Sequence, residues 1–156
     1  MKRIAILGNS GSGKSTLAKA LAAKHFIPVL DLDSIAWEPK KIAVPRAPEA
    51  VLADLNAFCK GSAGWIVEGC YGDLIEAALR WDPQLVFVNP GEEVCLRHCR
   101  ARPWEPNKYA SKEAQDAKLD FLLKWVSEYY TREGTMSLKG HRAVFDAYAG
   151  AKRETR

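Results

Sequence analysis

Gly8, Gly13, Lys14 and Ser15 stand at the spacing G-x-x-x-x-G-K-[ST]. Phosphate chemistry calls for those residue types in that order. Glycines at 8, 11 and 13 let the chain turn tightly, so that successive N–H groups converge on an anion. A lysine after the last glycine brings an ammonium to the β- and γ-phosphates, and the next hydroxyl ligates Mg²⁺. Residues Gly8, Asn9, Ser10, Gly11, Ser12, Gly13, Lys14, Ser15 and Thr16 therefore read as a nucleoside-triphosphate loop. Lys14 takes the β/γ oxygens, Ser15 the metal and Thr16 the α-phosphate.

Two elements must hold that loop. Ile4-Ala5-Ile6-Leu7 before it is an apolar run of strand length, and Leu17 to Ala22 after it has helix-forming composition. A strand feeding a glycine loop that opens a helix is the context a P-loop requires. The helix start adds its own partial positive charge.

A second group of residues suits a phosphoryl acceptor. Ile27 to Asp33 reads as a strand ending in acids, with Pro28 at its start. Strand alternation predicts the Asp31 and Asp33 carboxylates on one face. Ligands of open α/β sheets bind beyond the carboxyl ends of strands. Asp33 is thus expected to orient or deprotonate an acceptor, and Asp31 to support the metal. The alternative is that one of these acids caps a helix starting near Ser34. Trp37 either stacks on a planar acceptor or covers the core. Arg46 either binds an acceptor phosphate or is solvated. The acceptor side spans about residues 34–64, with a helix over Glu49–Cys59 that turns Val51, Leu52, Leu55 and Phe58 to one side. Trp65 to Gly69 reads as a strand running into a Gly69-Cys70-Tyr71-Gly72 turn where backbone can approach a ligand. Glu68 is a site carboxylate or a partner for an arginine. Asp33, Trp37, Glu68, Gly69 and Tyr71 make up the expected acceptor set.

A third group is basic. From Glu92 a helix carries Arg97, His98, Arg100 and Arg102 into Pro103-Trp104-Glu105-Pro106. Phosphoryl transfer needs positive charge over the transferring oxygens, and a lid over about 97–110 supplies it. Arg97 and Arg100, three apart and on one helix face, are the expected catalytic arginines. Arg102 is expected on the nucleotide, and His98 reads as a surface residue. The alternative is a solvated basic face. Further on, Gln84 to Val88 is a buried strand, Ser111 to Thr131 one long helix, and His141 to Tyr148 a last short strand. Gly150, in the loop after that strand, is expected to hold the nucleotide base through its backbone. Residues from Arg153 onward read as a frayed end.

The whole chain bounds these readings. At 156 residues it makes a single domain, 1–156, large enough for a real core. Apolar residues are 47% and charged residues 27%, ordinary for a soluble globular protein. No apolar run nears the roughly 20 residues of a membrane span, and the first one is too short for a signal peptide. The expectation is a cytoplasmic protein with no membrane partner. Cys59, Cys70, Cys95 and Cys99 suit free thiols better than a disulfide framework or a zinc site. A net charge of +4 is compatible with an anionic substrate and too small to argue nucleic-acid binding by itself.

Taken together, these stretches resemble the small P-loop kinases, a group that includes adenylate kinase-like nucleotide kinases and the shikimate and gluconate kinases. Within it, the chain is similar to the adenylate kinase-like family of DNA topology modulation proteins. The resemblance rests on Gly8 to Thr16, Leu30 to Asp33 with Trp37 and Pro39, Trp65 to Tyr71, Arg80 to Pro90, and Glu93 to Leu96 with the arginines that follow. It implies a three-layer α/β fold: a five-stranded parallel sheet, helices on both faces, and a short arginine-bearing lid. It implies ATP and Mg²⁺ binding by the P-loop and does not fix the acceptor. The expectation is transfer of the γ-phosphoryl to a small acceptor, a nucleotide or nucleoside. The chain lacks the arginine pattern of nucleotide kinases in its acceptor segment and a zinc-ligand set in its lid. The alternatives are a kinase of a hydroxylated metabolite, as in the shikimate and gluconate kinases, and a nucleotide-dependent regulator with DNA as partner.

Overall fold

The computed structural model describes residues 2–39, 41, 44–106 and 108–156. β1 (Arg3–Gly8) is the central strand, with Ile4, Ala5, Ile6 and Leu7 all buried. A run buried on both faces is what a parallel sheet covered by helices demands. β2 (Val29–Asp31), β3 (Trp65–Gly69), β4 (Gln84–Val88) and β5 (Lys152–Thr155) complete the sheet in the order β2-β3-β1-β4-β5, every pairing parallel. The helices are α1 (Lys14–His25), α2 (Asp33–Ala36), α3 (Pro48–Gly61), α4 (Gly72–Ala78), α5 (Glu92–Ala101), α6 (Lys112–Ala117), α7 (Leu119–Glu128) and α8 (Leu138–Ala147).

Alternation along β1 divides the core. Ala5 and Leu7 join Val51, Leu55, Trp65, Ile75 and Val144 on the side of α3, α4 and α8. Ile4 and Ile6 join Ile66, Val86 and Ala18 on the side of α1. Helices therefore cover both faces, and the three-layer fold expected from the sequence is present. Cys95, Cys99 and Val126 form a smaller cluster that joins α5 to α7. All four cysteines are free thiols.

Several elements differ from the sequence reading. β2 stops at Asp31, and the chain turns helical at the fully buried Leu32. Asp33 is the first residue of α2, and its N–H donates to Asp31 Oδ1 at 2.9 Å. Strand alternation therefore does not relate the two acids, and Asp31 satisfies a helix-start amide. On α3 the inward residues are Val51, Leu55 and Cys59, at i, i+4, i+8, while Leu52 is exposed.

The long helix expected over 111–131 breaks at Lys118 into α6 and α7. The two halves answer to different neighbours. Gln115 of α6 accepts from the Glu105 N–H at 2.8 Å and donates to the Pro103 carbonyl at 3.1 Å, which ties α6 to the lid. Val126 of α7 accepts from Asn9 Nδ2 at 3.1 Å, which ties α7 to the P-loop.

Residues 141–148, read as a strand, lie in α8 and its C-cap. Ser137 Oγ caps the helix by accepting from the Gly140 N–H at 3.0 Å. The last strand is instead β5, in the stretch read as frayed. Asn89 and Arg142 both hold Glu154 of β5, Asn89 at 3.0 Å and Arg142 bidentately at 2.7 and 2.9 Å. Gly150 therefore precedes the last strand. Lys152 pairs with Leu85, whereas Gly8 pairs with Val88 at the other end of β4. Gly150 lies at the end of the sheet opposite the P-loop, before the last strand and not after it as the base-holding reading required.

Candidate active site

The P-loop takes its shape from its glycines. Gly11 has φ +78° and Gly13 φ +97°, both in the left-handed region that favours glycine. A Cβ on Gly11 would overlap the Cys95 carbonyl and sit 2.7 Å from the Cys99 sulfur, so the loop lies directly on α5. Gly13 precedes α1 without any side-chain cap, and no atom comes within 4 Å of its Cβ position. The first-turn amides of α1 have no intrahelical acceptors. Ser12 Oγ is buried and has no hydrogen-bond partner among the described residues. An open cradle, unpaired helix-start amides and an orphaned hydroxyl fit a bound phosphate chain.

Three residues brace the loop. Lys14 Nζ donates to the Asn9 carbonyl at 3.1 Å. Asn9, itself buried, reaches α7 through Val126. His98, read from the sequence as a surface residue, contacts the Gly11 carbonyl through Nδ1 at 2.7 Å. A carbonyl only accepts, so Nδ1 carries the proton.

Beside the loop, Ser15 Oγ donates to Glu68 Oε1 at 2.9 Å. Glu68 is 3% exposed and sits at the carboxyl end of β3, in register with Asp31. Burial raises the pKa of Glu68, with the Asp31 and Asp33 charges adding to it, against Lys14 and the Ser15 hydrogen bond. Burial and Asp33 raise that of Asp31, against the Asp33 amide, Lys108 and Lys14. A divalent cation would relieve this crowding of carboxylates. Ser15 Oγ, Glu68 on its hydroxyl and Asp31 in register beside Glu68 are the oxygen groups that could hold such a cation. The sequence reading assigned Ser15 and Asp31 to the metal and Glu68 to the acceptor; the structure places Glu68 on the Ser15 hydroxyl, on the P-loop side.

Asp33 heads a network of four side chains drawn from three parts of the sequence. Its Oδ1 accepts from the Tyr71 hydroxyl at 2.5 Å, and the Tyr71 oxygen accepts from Trp37 Nε1 at 2.9 Å. Its Oδ2 accepts from Lys108 Nζ at 3.1 Å. Burial acts to raise the Asp33 pKa, but Lys108, the Tyr71 hydroxyl and Lys14 outweigh it and hold the carboxyl below its ordinary value. Trp37 is neither core nor free, since it is 39% exposed and locked onto Tyr71. Gly69 lets the turn approach, because a Cβ there would lie 2.9 Å from that of Leu32.

The basic residues divide. At about 100° per residue, Arg97 and Arg100 fall on the side of α5 turned away from Cys95 and Cys99. Both are exposed. The structure does not bring them onto the loop. Arg102, half-buried, lies 3.7 Å from Glu105. Arg46 is held by Asp54 at 2.7 Å and by the Ile35 carbonyl at 2.9 Å.

Two residues of the site have no signal in the sequence. Lys108 is one lysine among many in a polar stretch. His141, fully buried, bridges the Cys70 carbonyl through Nε2 and the Tyr129 hydroxyl through Nδ1, each at 2.7 Å. It fixes the turn from which Tyr71 projects, together with the Gly72 N–H, which donates to the Thr135 carbonyl at 3.1 Å.

No protein-family model matches the chain, and no curated protein sequence matches it. Solved structures do match. A sugar kinase from Janibacter sp. HTCC2649 superposes with a TM-score of 0.55 at 14% identity, covering 99% of this chain and 84% of its own. A shikimate kinase from Bacteroides thetaiotaomicron gives 0.51 at 24% identity, covering 81% and 78%. An uncharacterised protein from Eubacterium ventriosum ATCC 27560 gives 0.51 at 17% identity, covering 98% and 88%. The chain has the P-loop kinase fold. Identities at this level speak for the fold alone. No described helix is long and apolar enough to cross a membrane.

Proposed function

We propose that the protein is a kinase that uses ATP and Mg²⁺ to phosphorylate a hydroxyl group of a small metabolite. The observation that carries this reading is the Asp33 carboxylate, oriented by Tyr71 and kept ionised by Lys108 and Lys14. An ionised carboxylate with its geometry fixed is what a hydroxyl acceptor needs as proton acceptor. Lys14 and the loop amides hold the triphosphate, and Ser15, with Glu68 and Asp31, holds the metal. Bound Mg²⁺ supplies charge neutralisation and positioning at the phosphate oxygens. Trp37 and Tyr71 wall the acceptor side.

The nucleotide acceptor expected from the sequence gives way here to the hydroxylated metabolite. A nucleoside monophosphate needs a cation for its phosphate, and Arg46, the described arginine of the acceptor segment, is already paired with Asp54. The fold neighbours named as kinases of a sugar and of shikimate support the same choice.

The test is ADP formation from ATP·Mg²⁺ against sugars, polyols, shikimate, gluconate, nucleosides and nucleoside monophosphates. Acceptor-dependent turnover with a hydroxylated metabolite is expected, reduced about 10²–10⁴-fold in Asp33→Asn with ATP affinity retained. Asp33→Asn at the wild-type rate sinks the assignment of Asp33. Tight ATP binding without turnover on any acceptor sinks the kinase, and turns attention to a nucleotide-gated binding protein.

A further inference from the structure

Lys108 deepens this reading and rests on it. The lid was expected to act through Arg97 and Arg100, yet both are exposed on the outer side of α5, and Arg102 lies beside Glu105. The lid cation that does reach the acceptor end is Lys108. Its ammonium lies 3.1 Å from Asp33 Oδ2 and 3.8 Å from Glu105 Oε1. The turn that presents it is braced. Trp104 Nε1 donates to the Tyr109 carbonyl at 3.2 Å, the Lys108 and Tyr109 amides donate to the Glu105 carbonyl at 3.0 Å, and Gln115 pins residues 103 and 105.

Asp33 therefore has a partner on each oxygen. An acceptor hydroxyl needs one of those oxygens. Tyr71 is fixed from behind by Trp37. Lys108 reaches Asp33 on a flexible four-carbon stem and has Glu105 as a second anchor. The lysine is the partner that can yield.

We propose that Lys108 occupies Asp33 until an acceptor hydroxyl displaces it, and then turns to the transferring phosphoryl group opposite Lys14. In the transfer the acceptor oxygen bonds to the γ-phosphorus, and the bond from that phosphorus to the β-phosphate oxygen breaks. The hydroxyl proton passes to Asp33 Oδ2, and ADP leaves with the bonding pair. Lys108 balances charge on the moving group. Because the ammonium is released by the acceptor, the lid becomes competent only when an acceptor is present.

The test compares wild type, Lys108→Met and Lys108→Arg, using as probe whichever of D-glucose, D-gluconate, shikimate and adenosine the wild-type protein phosphorylates. Lys108→Met is expected to lose about 10²-fold in kcat, with acceptor KM unchanged or lower because a competitor for Asp33 is gone. Lys108→Arg is expected to recover most of kcat. A kcat within about threefold of wild type in Lys108→Met overturns the proposal, as does a loss confined to a higher KM. Circular dichroism and ATP affinity of each variant separate a folding defect from either result. If wild type turns over no probe, the kinase reading and this inference fall together. If wild type is active and Lys108→Met matches it, only this inference falls.

Discussion

Ser15 and Glu68 stand 53 residues apart in the chain and share one hydrogen bond of 2.9 Å, hydroxyl to carboxylate. That bond joins the P-loop to the carboxyl end of the neighbouring strand β3. Glu68 is buried with Asp31 and Asp33 close by, and its ionised form is disfavoured there.

Glu68→Gln is therefore expected to separate stability from function. The amide keeps an acceptor for Ser15 and removes a charge that the fold disfavours. Thermal unfolding at pH 7 should show a Tm equal to or above wild type. Kinase turnover should fall about 10²-fold, and the Mg²⁺ concentration for half-maximal rate should rise. A variant that loses Tm and keeps its Mg²⁺ dependence would falsify the metal-supporting role.

His141 sets a pH dependence of folding. Burial, opposed by the Cys70 carbonyl, lowers its pKa from 6.5 to about 4. The folded form thus binds fewer protons than the unfolded chain between those values. Stability is full above about pH 6.5 and falls as pH drops through 4, by up to about 3 kcal/mol. Urea unfolding from pH 7.5 to pH 4.5 should show this slope, and His141→Gln should flatten it. Equal slopes in both proteins would contradict the buried neutral imidazole.

Gly11→Ala and Gly13→Ala probe the loop in different ways. Both glycines have positive φ, but only Gly11 would also drive a methyl into the Cys95 carbonyl and the Cys99 sulfur. Gly11→Ala is expected to destabilise by about 2 kcal/mol or more and to abolish ATP binding. Gly13→Ala should cost less in stability. Calorimetric unfolding with and without ATP measures both, and a milder Gly11→Ala would disprove the contact with α5.

The sequence by itself determined the parts whose chemistry is contiguous. The P-loop was legible because phosphate binding needs glycine, lysine and hydroxyl at fixed spacing in one short stretch. β1, β3 and β4 were legible because strands buried on both faces must be apolar throughout. From these, with the family resemblance, the parallel-sheet kinase fold could be expected. Tertiary structure alone decided the rest. Residues Lys152 to Thr155 carry no apolar run, since β5 is an edge strand held by Arg142 and Asn89, so Lys152 reads as loop and Arg153 onward as frayed. With the last strand there, Gly150 falls at the end of the sheet opposite the P-loop. His141 and Val144, buried at i and i+3, mark α8, a period too short to outweigh the apparent alternation. Lys108, Asp33, Tyr71 and Trp37 meet only because the lid, α2 and the β3 turn converge at one end of the sheet. No local pattern encodes such a meeting, because it depends on how the chain closes over distance.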